Sequence, residues 1–164
     1  MTRNQTLQEE VMEFGTIERE IFVEASPEVV FEVVSSPSHL QQWWPDQAHY
    51  EVVPGSTGDI VFGQHGNDAA VVAFTVVEVR PPRTFSFRWT HPADEPAVAG
   101  NSLFVTFDLT PSGSGTLLKM TESGFREMGW DVALLEQQYN DHVTGWDFYL
   151  PRLVSYVATA KVQR

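Results

Sequence analysis

The stretch Trp130–Ala158 reads WDVALLEQQYNDHVTGWDFYLPRLVSYVA. Within it Val132, Leu135, Tyr139, His142, Trp146, Leu150, Leu153 and Val157 return at steps of three and four, which is one stripe of a long amphipathic helix. Glu136, Asn140, Asp141, Asp147 and Arg152 fall on the other side and belong in water. Asp131 and Glu136 near the start, with Lys161 and Arg164 past the end, suit the helix dipole. Two residues resist the pattern. Gly145 costs about 1 kcal/mol relative to alanine inside a helix. Pro151 removes a backbone donor and costs about 3 kcal/mol unless the helix bends, which predicts a bend over Asp147–Pro151. A bent helix wraps a curved surface, and the chain before it reads as strands that would form one.

Those strands alternate with a period of two. Thr116–Ser123 places Leu118, Met120 and Glu122 in one phase. Pro111–Gly115 is a turn, and Ser102–Leu109 sets Leu103, Val105, Phe107 and Leu109 against polar neighbours, Phe104 excepted. In Thr84–Thr90 the rings of Phe85, Phe87 and Trp89 point one way and Ser86, Arg88 and Thr90 the other. Ala69–Val79 is a long strand stopped by Pro81 and Pro82; Gly66, Asn67 and Asp68 form a hairpin turn that joins it to Ile60–Gln64. Tyr50–Val53 is a short strand, followed by a turn at Pro54, Gly55 and Gly58. Further back, Ser26-Pro27 is a helix start feeding the apolar side Val29, Val30, Phe31, Val33 and Val34. Ser36-Pro37 repeats that signal for a second short helix, Ser38–Trp43. Thr16–Glu24 is the first strand, with Arg19 in its apolar phase and Phe22 in its polar phase as anomalies. Residues 1–15 read as a flexible acidic arm and residues 16–164 as one domain.

The order is strand, two short helices, about six antiparallel strands and a long helix, an α+β arrangement. A sheet of that size with one face against a single helix must curl. The space inside the curl is either filled by side chains or left as a pocket.

Composition narrows the functions. With 10 Lys plus Arg against 22 Asp plus Glu, the formal net charge of −12 repels nucleic acids and anionic membranes. There is no cysteine, so disulfide and thiolate chemistry are excluded. No apolar run spans a bilayer and no apolar signal segment opens the sequence, which places the expected location in the cytoplasm.

The residues Ile21-Phe22-Val23-Glu24-Ala25-Ser26-Pro27-Glu28-Val29-Val30-Phe31, then Trp43-Trp44, Phe87-Arg88-Trp89, Thr121-Glu122-Ser123-Gly124-Phe125 and Gly145-Trp146 with Leu150 and Leu153 resemble a known family. It is the Hsp90-ATPase-activator-homologue branch of the START/Bet v 1-like (SRPBCC) superfamily, and the resemblance runs from about Thr16 to Ala158. It implies the helix-grip fold: a curved antiparallel sheet around a long C-terminal helix, with a cavity between. It also implies an apolar ligand such as a lipid, polyketide or aromatic metabolite. A cofactor-free cyclase or hydrolase, or a chaperone-linked interaction protein with a role in stress response, are the alternatives it carries. Pro151 departs from the family's pattern.

The expected ligand-facing residues are Trp43, Trp44, Phe62, Phe74, Phe87, Trp89, Phe104, Met120, Phe125, Trp146 and Tyr149, because an apolar ligand needs an aromatic lining with few polar groups. Glu122 shares the phase of Leu118 and Met120, so it points inward. An inward carboxylate serves as acid or base, or anchors a ligand hydroxyl or amine; the bland alternative is a strand-end carboxylate satisfied by backbone donors or an arginine. His142 lies one turn before Trp146 on the same stripe, as a proton shuttle or hydrogen-bonding residue, or simply a satisfied edge histidine. If Glu122 and His142 meet, acid–base chemistry follows. His39, His49, His65 and His91 are scattered without metal-ligand spacing, so neither metal nor cofactor is expected. Ser35, Ser36 and Ser123 carry no nucleophile motif, and Arg19 and Arg88 are read as sheet-surface partners for carboxylates. The expected assembly is a monomer or homodimer.

Overall fold

The structure, a computed structural model, describes residues 14–63 and 69–160. The chain runs β1 (Thr16–Val23), α1 (Pro27–Ser35), α2 (Pro37–Trp43), β2 (Gln47–His49), β3 (Thr57–Phe62), β4 (Ala70–Arg80), β5 (Thr84–Trp89), β6 (Leu103–Ser112), β7 (Gly115–Ser123), a short 3-10 turn (Arg126–Met128) and α3 (Val132–Ala160). The strands form one antiparallel sheet in the order β1-β7-β6-β5-β4-β3-β2. This is the α+β helix-grip arrangement that the order of elements implied.

Helix α3 shows how far the sheet curls. Asp147 of α3 accepts from Arg19 Nε of β1 at 2.7 Å, while Tyr149, two residues on, lies 6.3 Å from the ring of Phe62 on β3. Strands β1 and β3 are five places apart in the sheet. Laid flat they would be separated by about 24 Å at the usual strand spacing. One helix about 10 Å across cannot reach both unless the sheet folds round it.

The same contact resolves the Arg19 anomaly. Arg19 stands on the inner face at the sheet edge because its partner is on the helix, not on a neighbouring strand. Both side chains are substantially exposed, so Asp147→Asn is expected to cost only about 0.5 kcal/mol in a denaturant melt. Phe22, the other anomaly, is 43% exposed and its ring covers Gly115, where a Cβ would collide with it.

The helix starts follow the sequence signals in part: Pro37 opens α2, but Ser36 makes no side-chain cap there. Ser26 Oγ accepts from Val29 N at 3.3 Å and Pro27 opens α1. Asp131 Oδ1 accepts from Leu134 N at 2.8 Å and caps α3. The stripe takes hold at Leu135; Val132, one turn earlier, is exposed. Helix α3 passes through Pro151 as one element, with the proline on its exposed side. Phe14, assigned to the arm from sequence, rests on Tyr139 at 5.4 Å between ring centres. Residues 1–13 of that arm, the expected hairpin turn at Gly66, Asn67 and Asp68, His65, and the terminal Lys161 and Arg164 lie outside the described residues.

Several strand assignments change. The expected strand Tyr50–Val53 is not one; the strand there is Gln47–His49. Tyr50 turns its ring inward, stacks on Phe74 at 4.5 Å and donates its hydroxyl to Ser35 O at 2.7 Å, which takes its backbone off the sheet ladder. Strand β3 then begins at Thr57, with Gly58 passing so close to His49 that a Cβ would strike the His49 carbonyl. The expected turn at Pro111–Gly115 shrinks to Gly113-Ser114, with Gly113 at φ +58°, because β6 and β7 stay paired through Ser112 and Gly115.

Burial pushes the Tyr50 hydroxyl well above the ordinary tyrosine range. The folded state therefore holds a neutral phenol that the unfolded chain ionises near pH 10. That contribution is fully present below about pH 10 and is lost as pH rises beyond it. Tyr50→Phe is expected to cost about 1 kcal/mol at neutral pH, from the lost hydrogen bond. In urea melts at rising alkaline pH, the variant's stability should then fall less steeply than the parent's.

Candidate functional site

The site begins with a carboxylate under the helix. Glu122, near the end of β7, is fully buried on the concave face in the phase of Leu118 and Met120. Three donors converge on it. Trp89 Nε1, from the end of β5, reaches Oε2 at 2.8 Å. Trp146 Nε1, from α3, reaches Oε1 at 2.8 Å, and His142 Nδ1, one turn earlier on α3, lies 2.9 Å from the same oxygen. An indole N–H only donates, so both carboxylate oxygens are acceptors, and Nδ1 completes the set in the tautomer that carries its proton there. Burying a carboxylate without partners is very costly; here sheet and helix each supply donors, so Glu122 ties the two layers together. The bland sequence reading, backbone donors or an arginine at a solvated strand end, is replaced by this network of two indoles and an imidazole.

The geometry leaves His142 half committed. Its ring rests 5.3 Å from Trp89 and 5.4 Å, edge to face, from Phe125. Nδ1 is held by Glu122, while Nε2 makes no hydrogen bond among the described residues. The imidazole lines a cavity of about 100 Å³ together with Trp44, Phe62, Trp89, Trp146 and Tyr149. Nε2 is thus a polar function without a partner among the described residues, on a ring that lines a largely aromatic chamber.

Gly145 and Asp141 also line this cavity, and neither is among the sequence candidates. Gly145 carried a signal: it is a helix-interior glycine, which costs stability. Its φ is not positive and a Cβ there would meet nothing within 4 Å, so neither backbone geometry nor close packing requires it. What the missing side chain leaves is room beside His142. Asp141 had the phase of a solvated residue, and it is exposed at the rim.

The remaining candidates separate. Trp44 sits at the centre, with ring contacts to Trp43, Phe87, Trp89 and Trp146 at 5.0 to 6.0 Å. Trp43, Phe74, Phe87, Met120 and Phe125 are fully buried and fill the hollow rather than line its free space. Phe74 and Phe87 stack at 4.2 Å, and Trp43 donates its indole N–H to Val33 O at 3.0 Å. Phe104 is a correction. It lies in the polar phase of β6, on the convex face, with the Arg88 guanidinium 4.9 Å above its ring. Arg88 itself, expected to partner a carboxylate, bonds Ser102 Oγ at 3.3 Å instead. Thr90, directly after Trp89, holds φ at 68°, a conformation that costs a non-glycine residue about 1 kcal/mol or more.

Among the described residues no group of three or more His, Asp or Glu is arranged to hold a metal ion. No helix of the described residues is long and apolar enough to cross a membrane. The exposed large apolar side chains, Phe22, Val53, Val71, Val77, Val98, Val132, Leu134 and Phe148, are spread over several strands, loops and α3.

Solved structures share this fold. A protein from Mesorhizobium loti superimposes with a TM-score of 0.67 at 23% identity, over 88% of this chain and 97% of its own. DynU16, described as a putative protein in the dynemicin biosynthetic locus, gives 0.65 at 23% identity over 89% of this chain and 48% of its own. The Aha1 dimer from Colwellia psychrerythraea gives 0.61 at 20% identity, covering 86% and 94%. No protein of curated function matches the sequence. The profile of the family described as Activator of Hsp90 ATPase homolog 1-like protein matches residues 24–158, from the end of β1 to the last turns of α3. That span holds every element that builds the buried carboxylate and its cavity, and the chain belongs to that family.

Proposed function

We propose that the protein binds a small planar molecule carrying a hydroxyl or amine group in the cavity between α3 and the sheet. The observation that carries this reading is the braced histidine: Nδ1 is held 2.9 Å from buried Glu122, and the same ring lines an aromatic chamber. The bracing directs the lone pair of Nε2 to an incoming O–H or N–H. The rings of Trp44, Phe62, Trp89 and Tyr149 offer stacking faces, and Asp141 stands at the rim as a second acceptor. Size selects the ligand further. The free volume of about 100 Å³ is far below the 300–1,000 Å³ of pockets for drug-sized molecules. An engineered cavity of about 150 Å³ takes benzene. The space suits one ring, or the ring end of a larger metabolite, better than a lipid chain.

The test uses phenol, aniline and benzene in ligand-observed NMR titrations. Phenol and aniline should bind more tightly than benzene, because only they satisfy Nε2. Gly145→Leu is the decisive variant. It is expected to gain about 1 kcal/mol of helix stability while blocking the cavity, so binding should vanish without unfolding. Phenol binding that survives this substitution would place the ligand elsewhere.

One observation favours a second reading at the same site. A carboxylate–histidine pair facing a ligand is also a general base, with Glu122 stabilising the imidazolium that forms. Mass analysis of ligand recovered after incubation separates the two. An unchanged molecule supports binding alone; a changed one supports catalysis.

A further inference from the structure

We infer that the convex face carries a second site, for a small oxyanion such as a carboxylate or a phosphate monoester. Across that face Thr16 pairs with Ser123, Ser123 with Phe104 and Phe104 with Arg88, so two hydroxyls, a ring and a guanidinium stand in one row over four adjacent strands. Above the row is a depression of about 530 Å³, which Arg126 lines from the turn after β7.

Two features mark it as an anion site. First, Arg88 is fixed: its guanidinium lies over Phe104 at 4.9 Å, and Nη1 donates to the buried Ser102 at 3.3 Å. Its Nε and Nη2 make no hydrogen bond among the described residues, and that edge of the guanidinium grips an oxyanion through two parallel bonds. Second, Arg19, Arg80 and Lys119 each reach a carboxylate, yet Arg88 and Arg126 reach none among the described residues. Arg83 and Arg152 reach none either, but Arg88 and Arg126 are the two that line one depression together. The net charge of −12 opposes anions over this surface, so any binding here has to come from these local donors. Glu127, at the same rim, weakens the attraction and sets its sign for a test.

The site does not rest on the inner cavity. It is tested with benzoate and inorganic phosphate as probes and benzamide as the neutral control, followed by amide shifts in NMR titrations. Benzoate, phosphate or both should shift Ser123 and Gly124, and benzamide should not. Arg126→Gln, at an exposed residue, should leave the melting temperature unchanged and raise Kd about five- to tenfold, and Glu127→Gln should lower it about threefold. Gly145→Leu should leave the Kd for benzoate and phosphate unchanged. Benzamide binding as well as benzoate, a Kd in Arg126→Gln within about twofold of the parent, or weaker binding in Glu127→Gln would overturn the site.

Discussion

Glu122→Gln is expected to destabilise the protein by about 3 kcal/mol, read as a fall in melting temperature of roughly 6 to 12 °C for a chain of this size. The substitution is nearly isosteric, so the loss is electrostatic rather than steric. Glutamate offers acceptors on both oxygens, and both are used: Oε2 by Trp89, Oε1 by Trp146 and His142. Glutamine keeps one oxygen and turns an NH2 toward a donor. Whichever way the amide faces, at least one buried N–H meets another donor, and an orphaned buried donor costs about 1–3 kcal/mol. The charge that strengthened the remaining bonds is lost as well. A double-mutant cycle isolates the network. In Glu122→Gln with Trp89→Phe the orphaned donor leaves with its ring, so the pair should cost less than the sum of the singles. Loss below about 1 kcal/mol in Glu122→Gln, or strict additivity in the cycle, would show that the carboxylate is not holding helix to sheet.

How much of this was legible beforehand follows from which interactions are periodic. The concave face could be read because alternation in β5, β6 and β7 assigns a face to each residue, and Glu122 follows that rule although it is charged. The stripe of α3 could be read for the same reason, down to His142 and Trp146. That the carboxylate and the histidine meet could not be read. The contact joins β7 to α3, and the distance between them is set by the curl of the whole sheet, a global quantity with no local code. Phe104 was misassigned because an aromatic in a polar phase was credited for its type rather than its position. Tyr50 was misassigned because a β-former beside a valine pair suggests a strand, whereas its hydroxyl found Ser35 O across the layer.

The residues that broke the sequence pattern are the ones with the most specific tasks. Arg19, a cation in an apolar phase, reaches the helix. Gly145, a poor helix residue, makes the space beside His142. Such local exceptions are where a fold gives up stability for a site or a cross-layer contact. The reverse holds for the aromatic candidates. Trp43, Phe74 and Phe87 fit the pattern, and they fill the core.

Trp44→Ala should have the largest effect in the chain, about 3–5 kcal/mol, because the ring is nearly buried and its removal leaves a void that fixed neighbours cannot close. Those neighbours are Trp43, Phe62, Phe87, Trp89 and Trp146, from four different elements, so no single shift of backbone lets them collapse inward. The void would join the existing cavity, which Trp44 already lines. The variant should then accept bicyclic phenols such as 1-naphthol that the parent excludes for lack of volume. Bound ligand restores stability by mass action, about 2.7 kcal/mol at a concentration one hundred times Kd. A thermal-shift titration with 1-naphthol therefore reads both halves: a lowered melting temperature without ligand and a rise with it, absent in the parent. Trp44→Phe removes less of the ring and keeps the test open should the alanine variant fail to fold; it should show the same two signs at smaller size. Equal 1-naphthol responses in Trp44→Phe and parent would mean that this ring does not bound the ligand's space.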